Sequence, residues 1–123
     1  MAYEIPGFSF TVPAGADFSS GAQFRFAALA SNGTAVNPVA GGAVIGVRYT
    51  KSKLGEAATI VNTGIAIVEA SAAITAGAKV SSTATGTAKV AASGENVVGI
   101  AMETASASGI QIAVLLNSIA ILA

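Results

Sequence analysis

Short β-rich runs separated by glycine turns constrain this chain more than any other feature of its sequence. Gln23-Phe24-Arg25-Phe26 alternates polar and apolar, and Val44-Ile45-Gly46-Val47-Arg48-Tyr49, Thr59-Ile60-Val61 and Ile65-Ala66-Ile67-Val68 are rich in β-branched residues. Val97-Val98-Gly99-Ile100 and Ile110-Gln111-Ile112-Ala113-Val114-Leu115-Leu116 continue the series. Asn32-Gly33, Gly41-Gly42, Leu54-Gly55, Ala76-Gly77, Gly86 and Ser108-Gly109 punctuate it. Short strands at regular spacing with glycine turns predict an all-β domain, a small β-barrel or β-sandwich. Residues 70–76 are alanine-rich enough for one helical turn, but so short a segment is a poor isolated helix.

The chain also carries a weak internal repeat. Gly33-Thr34-Ala35 recurs as Gly86-Thr87-Ala88, and Gly41, Val44 and Gly46 recur at the same spacing as Gly94, Val97 and Gly99. Gly55 then matches Gly109, and Ile65-Ala66-Ile67 matches Ile119-Ala120-Ile121. This collinear order suggests duplication of a β-meander unit, with repeats at residues 33–68 and 86–122; the competing explanation is chance similarity in an Ala/Gly/Val-rich chain.

Residues 1–21 differ from the β-domain expected over 22–123. Phe8-Ser9-Phe10-Thr11-Val12 alternates ahead of Pro13 and Gly15, the pattern of a short strand in an extended N-terminal arm bounded by breakers. Tyr3, Ile5, Phe8, Phe10, Val12 and Phe18 are candidate docking residues, since rings bury much area with few rotatable bonds. The alternative is that they fill the domain's own core. Arg48-Tyr49-Thr50-Lys51-Ser52-Lys53 is the one basic cluster. Arg48, Lys51 and Lys53 are read either as a polar contact for an acidic neighbour or as a solvated strand end and loop.

Composition narrows the function. Six basic and six acidic side chains in 123 residues leave a formal charge of zero, while 53% of the chain is hydrophobic. A free monomer of this kind tends to associate, so much of its surface is expected to lie against other protein chains. Balanced charge argues against a nucleic-acid partner. There is no His to serve as the usual acid–base group, and Ser nucleophiles lack an evident activating base. The six carboxylates are scattered singly, and neither His nor Cys is present to ligate a metal. No enzyme, cofactor or metal site is expected. The stretches around Gly41-Gly42 and Ala76-Gly77-Ala78-Lys79 lack dinucleotide and Walker spacing and read as turns. Residues 110–123 are too short to span a bilayer as a helix, and the N-terminus has no signal-peptide pattern, so no membrane partner is expected. Asn32-Gly33-Thr34 fits a glycosylation sequon and reads better as a hairpin turn.

An ordered set of motifs resembles the small capsid cement, or head decoration, proteins of tailed bacteriophages. It runs from Pro6-Gly7 through Ala16-Asp17-Phe18-Ser19-Ser20-Gly21, the strand and Asn-Gly turn over residues 24–33, Ile45-Gly46-Val47 and Gly55-Glu56. It continues with Ile74-Thr75-Ala76-Gly77 leading to Val80, Val97-Val98-Gly99-Ile100-Ala101, Gly109 and the closing strand of residues 110–116. The chain departs from the family at Ala78, where an acidic residue is common, and in residues 117–123, an extra apolar strand. The resemblance implies a virion protein on the outer surface of the capsid, made in the host cytoplasm. It would clamp neighbouring major capsid subunits as a homotrimer, without catalysis. Another virion structural protein, such as a head-fibre base or tail component, is the alternative.

Overall fold

The computed structural model describes residues 5–6, 9–18 and 23–121. Eleven strands make up the described chain: β1 (Ile5–Pro6), β2 (Ser9–Pro13), β3 (Phe26–Leu29), β4 (Ala35–Val36), β5 (Gly46–Arg48), β6 (Ala57–Val61), β7 (Gly64–Glu69), β8 (Lys79–Ser82), β9 (Ala88–Val90), β10 (Asn96–Ala101) and β11 (Gln111–Ile121). They form a five-stranded sheet, β2-β6-β5-β3-β4, and a six-stranded sheet, β1-β7-β11-β10-β8-β9, with antiparallel ladders throughout. The fold is all-β, and the two sheets pack like a sandwich rather than closing into one barrel. Residues 70–76 contain bridges at Ala70 and Ile74 and no helical turn. Residues 117–121 continue β11 after an irregularity opposite Val97 and Gly99, instead of forming a separate strand.

The two sheets share one pairing scheme. Phe26 opposite Val47 and Ala27 opposite Gly46 correspond to Lys79 opposite Ile100 and Val80 opposite Gly99. Val47–Val61 and Arg48–Ile60 correspond to Ile100–Leu115 and Ala101–Val114. The β2–β6 ladder, Ser9–Val61 through Pro13–Ala57, corresponds to the β7–β11 ladder, Ile65–Leu115 through Glu69–Gln111. Even the isolated parallel bridges match: Ala14–Ala35 and Ala70–Ala88 each tie the end of a unit's first strand to its third. The structural repeat therefore runs over β2–β6 and β7–β11, with β1 added to the edge of β7. This phasing differs from residues 33–68 and 86–122. β7 opens the second unit, and its counterpart is β2, not residues 119–121. The segment expected as an arm supplies β1 to one sheet and β2 to the other, so its described residues are part of both layers.

Each unit curls around an inner cluster at matching positions. Ala14, Phe18, Ala27, Ala35, Ala58 and Ile60 fill the first unit, with Val12 and Ile45 packed against them. Ala70, Ile74, Val80, Ala88, Ile112 and Val114, with Val68 and Val98, fill the second. The first unit uses alanine where the second uses Val80 and Ile112. It gains volume instead at Phe18 and Arg48, whose counterparts are Ile74 and Ala101.

The units join at a seam. Phe26, Val47 and Val61, on the outer face of the first sheet, belong to the same cluster as the second unit's core. Backbone bonds cross beside them: Phe26 N–H to Gly86 O (2.7 Å), Gly41 N–H to Ser82 O (2.8 Å), Glu69 N–H to Phe24 O (2.9 Å) and Asn96 N–H to Gly41 O (3.0 Å). The Arg25 guanidinium adds an ion pair to Glu69 at 3.4 Å. Close by, Glu95 clasps the β8–β9 hairpin. It accepts from Lys89 Nζ (2.5 Å), the Ser81 hydroxyl (3.0 Å) and the Ala92 N–H (2.7 Å). The Lys89 bond above all, then the Ala92 N–H, hold its carboxyl down at about 2.

Two equivalent turn glycines separate turn strain from seam packing. Gly33 and Gly86 both have positive φ (+82° and +88°), but a Cβ on Gly33 meets open space, whereas one on Gly86 comes within 2.5 Å of Phe26 O. Gly33→Ala should cost about 1–2 kcal/mol from the left-handed backbone alone. Gly86→Ala should cost about 1–3 kcal/mol more from overpacking. Urea midpoints measure this, and equal midpoints would mean that the seam is not close-packed.

Glu95 gives a pH test. Its folded pKa lies below the unfolded value, so its stabilisation is full above about pH 4.5 and fades as pH falls toward 2. Glu95→Gln should therefore be less stable than the parent at pH 7 and converge with it between pH 4.5 and 2. Parallel stability curves over that window would remove Glu95 from the acid transition.

Candidate functional site

The structure separates the sequence-predicted site residues into three groups. Tyr3 and Phe8 lie outside the described residues. Ile5 lies in β1, opposite Ile65. Phe10 and Val12 lie on β2, which pairs with β6 along one edge and has no strand along the other among the described residues. Its side chains are exposed apart from half-buried Val12. Val12 packs against the first unit's inner cluster, while Phe10 stays 37% exposed near the strand's start.

Phe18 and Arg48 depart from the reading as surface residues, because the first unit buries both. Phe18 is 4% exposed and belongs to the inner cluster; Arg48 is 1% exposed, with its guanidinium carbon 4.1 Å from the Phe18 ring centroid. A guanidinium over an aromatic face is attracted by the ring quadrupole, most strongly when desolvated. Burial, and secondarily the Arg25 charge, bring Arg48 down to about 10. The cause is strand alternation. Arg48 is opposite Ile60, so it shares the inner face. Lys51 and Lys53, in the loop after β5, are exposed.

The outer face of the first sheet holds a shallow depression lined by Ser9, Tyr49, Thr59 and Val61. Tyr49 is 41% exposed, and its carbonyl accepts from the Gln23 amide at 2.8 Å. The depression lies beside Ser9 at the start of β2, whose outer edge is unpaired among the described residues. The loop carrying Lys51 and Lys53 reaches the other end of the strand, where the Gly55 N–H bonds the Ala14 carbonyl at 2.9 Å. Edge backbone and a ring therefore lie together, with two cations farther along the same strand, the ingredients of strand addition with side-chain recognition. Tyr49 was legible as part of the basic cluster. Its partners Ser9 and Thr59 were not, because only the β2–β6 pairing brings them together.

Four of the described acidic side chains hold structure. Glu56 accepts from the Lys53 N–H at 2.7 Å, Glu69 pairs with Arg25, Glu95 clasps its hairpin and Glu103 accepts from the Ala113 N–H at 2.9 Å. Among the described residues no three His, Cys, Asp or Glu side chains gather where they could hold a metal ion. Nor is any helix among the described residues long and apolar enough to cross a membrane.

Two packed β-units, carboxylates engaged in turns and ladders, and an open strand edge define a structural binding module. The sequence matches the family model for the phage cement protein over residues 6–116, and the chain belongs to that family. It is a structural protein of the virion, bound at the outer surface of the capsid. The fold is similar to a solved structure of the head fiber gp8.5 N base in bacteriophage phi29, with a TM-score of 0.72, 18% identity, and coverage of 90% of this chain and 94% of that one. No curated protein sequence matches the chain.

The two rings of the N-terminal region should separate on mutation. Phe18→Ala should cost about 3–5 kcal/mol by emptying the first unit's core, whereas Phe10→Ala should cost less than about 1 kcal/mol. Thermal unfolding of both variants checks this, and similar losses would put Phe10 in the core as well.

Proposed function

We propose that this protein binds the major capsid protein on the assembled head and ties neighbouring capsid subunits together as a homotrimer. It does so without catalysis, nucleic acid or membrane. The observation that carries the reading is the family match, which spans both β-units. The charge-poor, neutral composition supports it, since such a surface suits close packing against protein. The carboxylates named above support a structural role because each is engaged in holding a turn, hairpin or ladder.

The capsid-docking surface in this reading is the free edge of β2, with Phe10 and Val12 on the strand, Ser9 and Tyr49 at the depression, and Lys51 and Lys53 in the loop at the strand's far end. A capsid segment added along β2 would gain main-chain hydrogen bonds, and the ring and cations would fix its register. Tyr3 and Phe8 remain candidate docking residues by sequence, whereas Ile5, opposite Ile65 at the edge of the other sheet, is left out of this surface. Phe18 and Arg48 support it from beneath by holding the first unit's shape.

A second reading is favoured by the full-length likeness to the N base of a phage head fiber. In that reading the chain would form the base of a head fibre rather than a clamp between capsid subunits.

Co-sedimentation with expanded heads lacking the protein, unexpanded proheads and tails tests the assignment. Saturable binding to expanded heads with raised heat resistance is the expected result; binding to tails alone, or to no particle, would defeat it. Phe10→Ser is the matched variant, because deletion of the segment would remove β2 from the sheet. It should weaken head binding about tenfold, or ~1.4 kcal/mol, with unfolding unchanged. Parent-like affinity would take the docking surface away from β2.

A further inference from the structure

A sheet face open to water normally alternates to polar residues. The outer face of the six-stranded sheet does not. Pairing sets Ile100 opposite Leu115 and Leu115 opposite Ile65, with Lys79 opposite Ile100 at the β8 end. The neighbouring row holds Ala113 opposite Ile67, with the Met102 N–H bonded to the Ala113 carbonyl at 2.8 Å. Leu115 is 38% exposed and Met102 40%, and Ile65, Ile67 and Ile100 are half-buried. The two rows form a contiguous apolar surface with charge at its margins: Lys79 at the β8 end, and Glu69 and Glu103 beside Gln111 and Ala113. Surfaces of that kind on soluble proteins mark interaction sites.

The repeat indicates what covers it. Lys79, Ile100 and Leu115 correspond strand for strand to Phe26, Val47 and Val61. Those three are buried against the other unit of the same fold. The chain thus contains one instance of this face closed by a unit of its own kind, and a second instance left open among the described residues. A capsid partner found by electrostatic steering would need charge across the face, and the centre around Ile65, Ile100 and Leu115 carries none. Copies with a formal charge of zero repel one another little.

We propose that the outer face of the six-stranded sheet, centred on Leu115, Ile100 and Met102, is the contact between copies of this chain. This rests on the cement reading only in taking the self-associated form as the one that binds heads. The self-contact uses the second unit and the capsid contact the first, so both can be made at once.

Sedimentation equilibrium of the full chain over a wide concentration range tests the proposal. The parent should sediment at a multiple of 11.9 kDa. Leu115→Glu should associate at least a hundredfold more weakly while keeping the parent's circular dichroism. Met102→Glu, in the turn after β10, should do the same and remains informative if Leu115→Glu misfolds. Leu54→Glu, on a 68%-exposed loop residue elsewhere, should leave the mass unchanged. A parent that stays monomeric, or a folded Leu115→Glu and Met102→Glu pair that keeps the parent mass, would overturn the proposal. A monomeric parent that binds heads and loses them on Leu115→Glu would also overturn it, assigning the face to the capsid. An intact oligomer that binds no head would instead defeat the cement reading and leave this face as the self-contact.

Discussion

The burial of Phe26, Val47 and Val61 against the second unit is the contact on which the rest of this molecule depends. A five-stranded unit of this size has an inner cluster made largely of alanine, valine and isoleucine, which can supply only a small stabilisation alone. Its sheet also has a second face. In the first unit that face is closed by packing on the neighbour, and the backbone joins across the same line. Glycine at 86 lets the β8–β9 turn approach the Phe26 backbone closely enough to bond it. Two marginal units thereby become one molecule, and β6, which carries Val61 at the seam, also holds the edge strand β2.

Much of the fold was legible because its signals are local. Each β-rich run was bounded by a glycine whose positive φ makes a turn inexpensive, as at Gly33, Gly86 and Gly109. The correspondence of Gly46 with Gly99 was readable for a sharper reason. At each, a Cβ would strike the carbonyl of the paired strand, Val61 or Leu115, so no other residue fits either position. The phase of the repeat was not legible. Ile65-Ala66-Ile67 looks like residues 119–121 in composition, but pairing gives its role to Ser9-Phe10-Thr11, which shares none of its side chains. Register, not residue type, defines the correspondence there.

The candidate site residues that lie buried show the same limit. Arg48 sits within a run of polar and basic residues, and a run carries no statement of which face each member takes. Strand alternation decides it: Arg48 joins Ile60 and Phe18 inside, whereas Tyr49 lies on the outer face. A guanidinium is tolerated inside because the first unit's alanines leave volume for its stem, and the Phe18 ring offers a face for its charge. The open apolar face did leave a trace in sequence. Ile65-Ala66-Ile67-Val68 and Val114-Leu115-Leu116 are continuous apolar runs rather than alternating ones, the pattern of strands covered on both sides.

Divergence of the two units then distributes the contacts. The outer face of the first carries Phe26, Val47 and Val61 where it meets the seam, and Ser9, Thr11 and Thr59 where it meets water. At the positions of those three polar residues the second unit has Ile65, Ile67 and Ala113, and at Tyr49 it has Met102. Had both faces stayed apolar, the molecule would present two sticky surfaces and polymerise head to tail. Had both become polar, nothing would hold copies together. In the proposed assembly, one polar and one apolar version of the same face would close a finite set of copies and leave the β2 edge for a different partner. In a chain with so few charges, that partition would set association apart from aggregation.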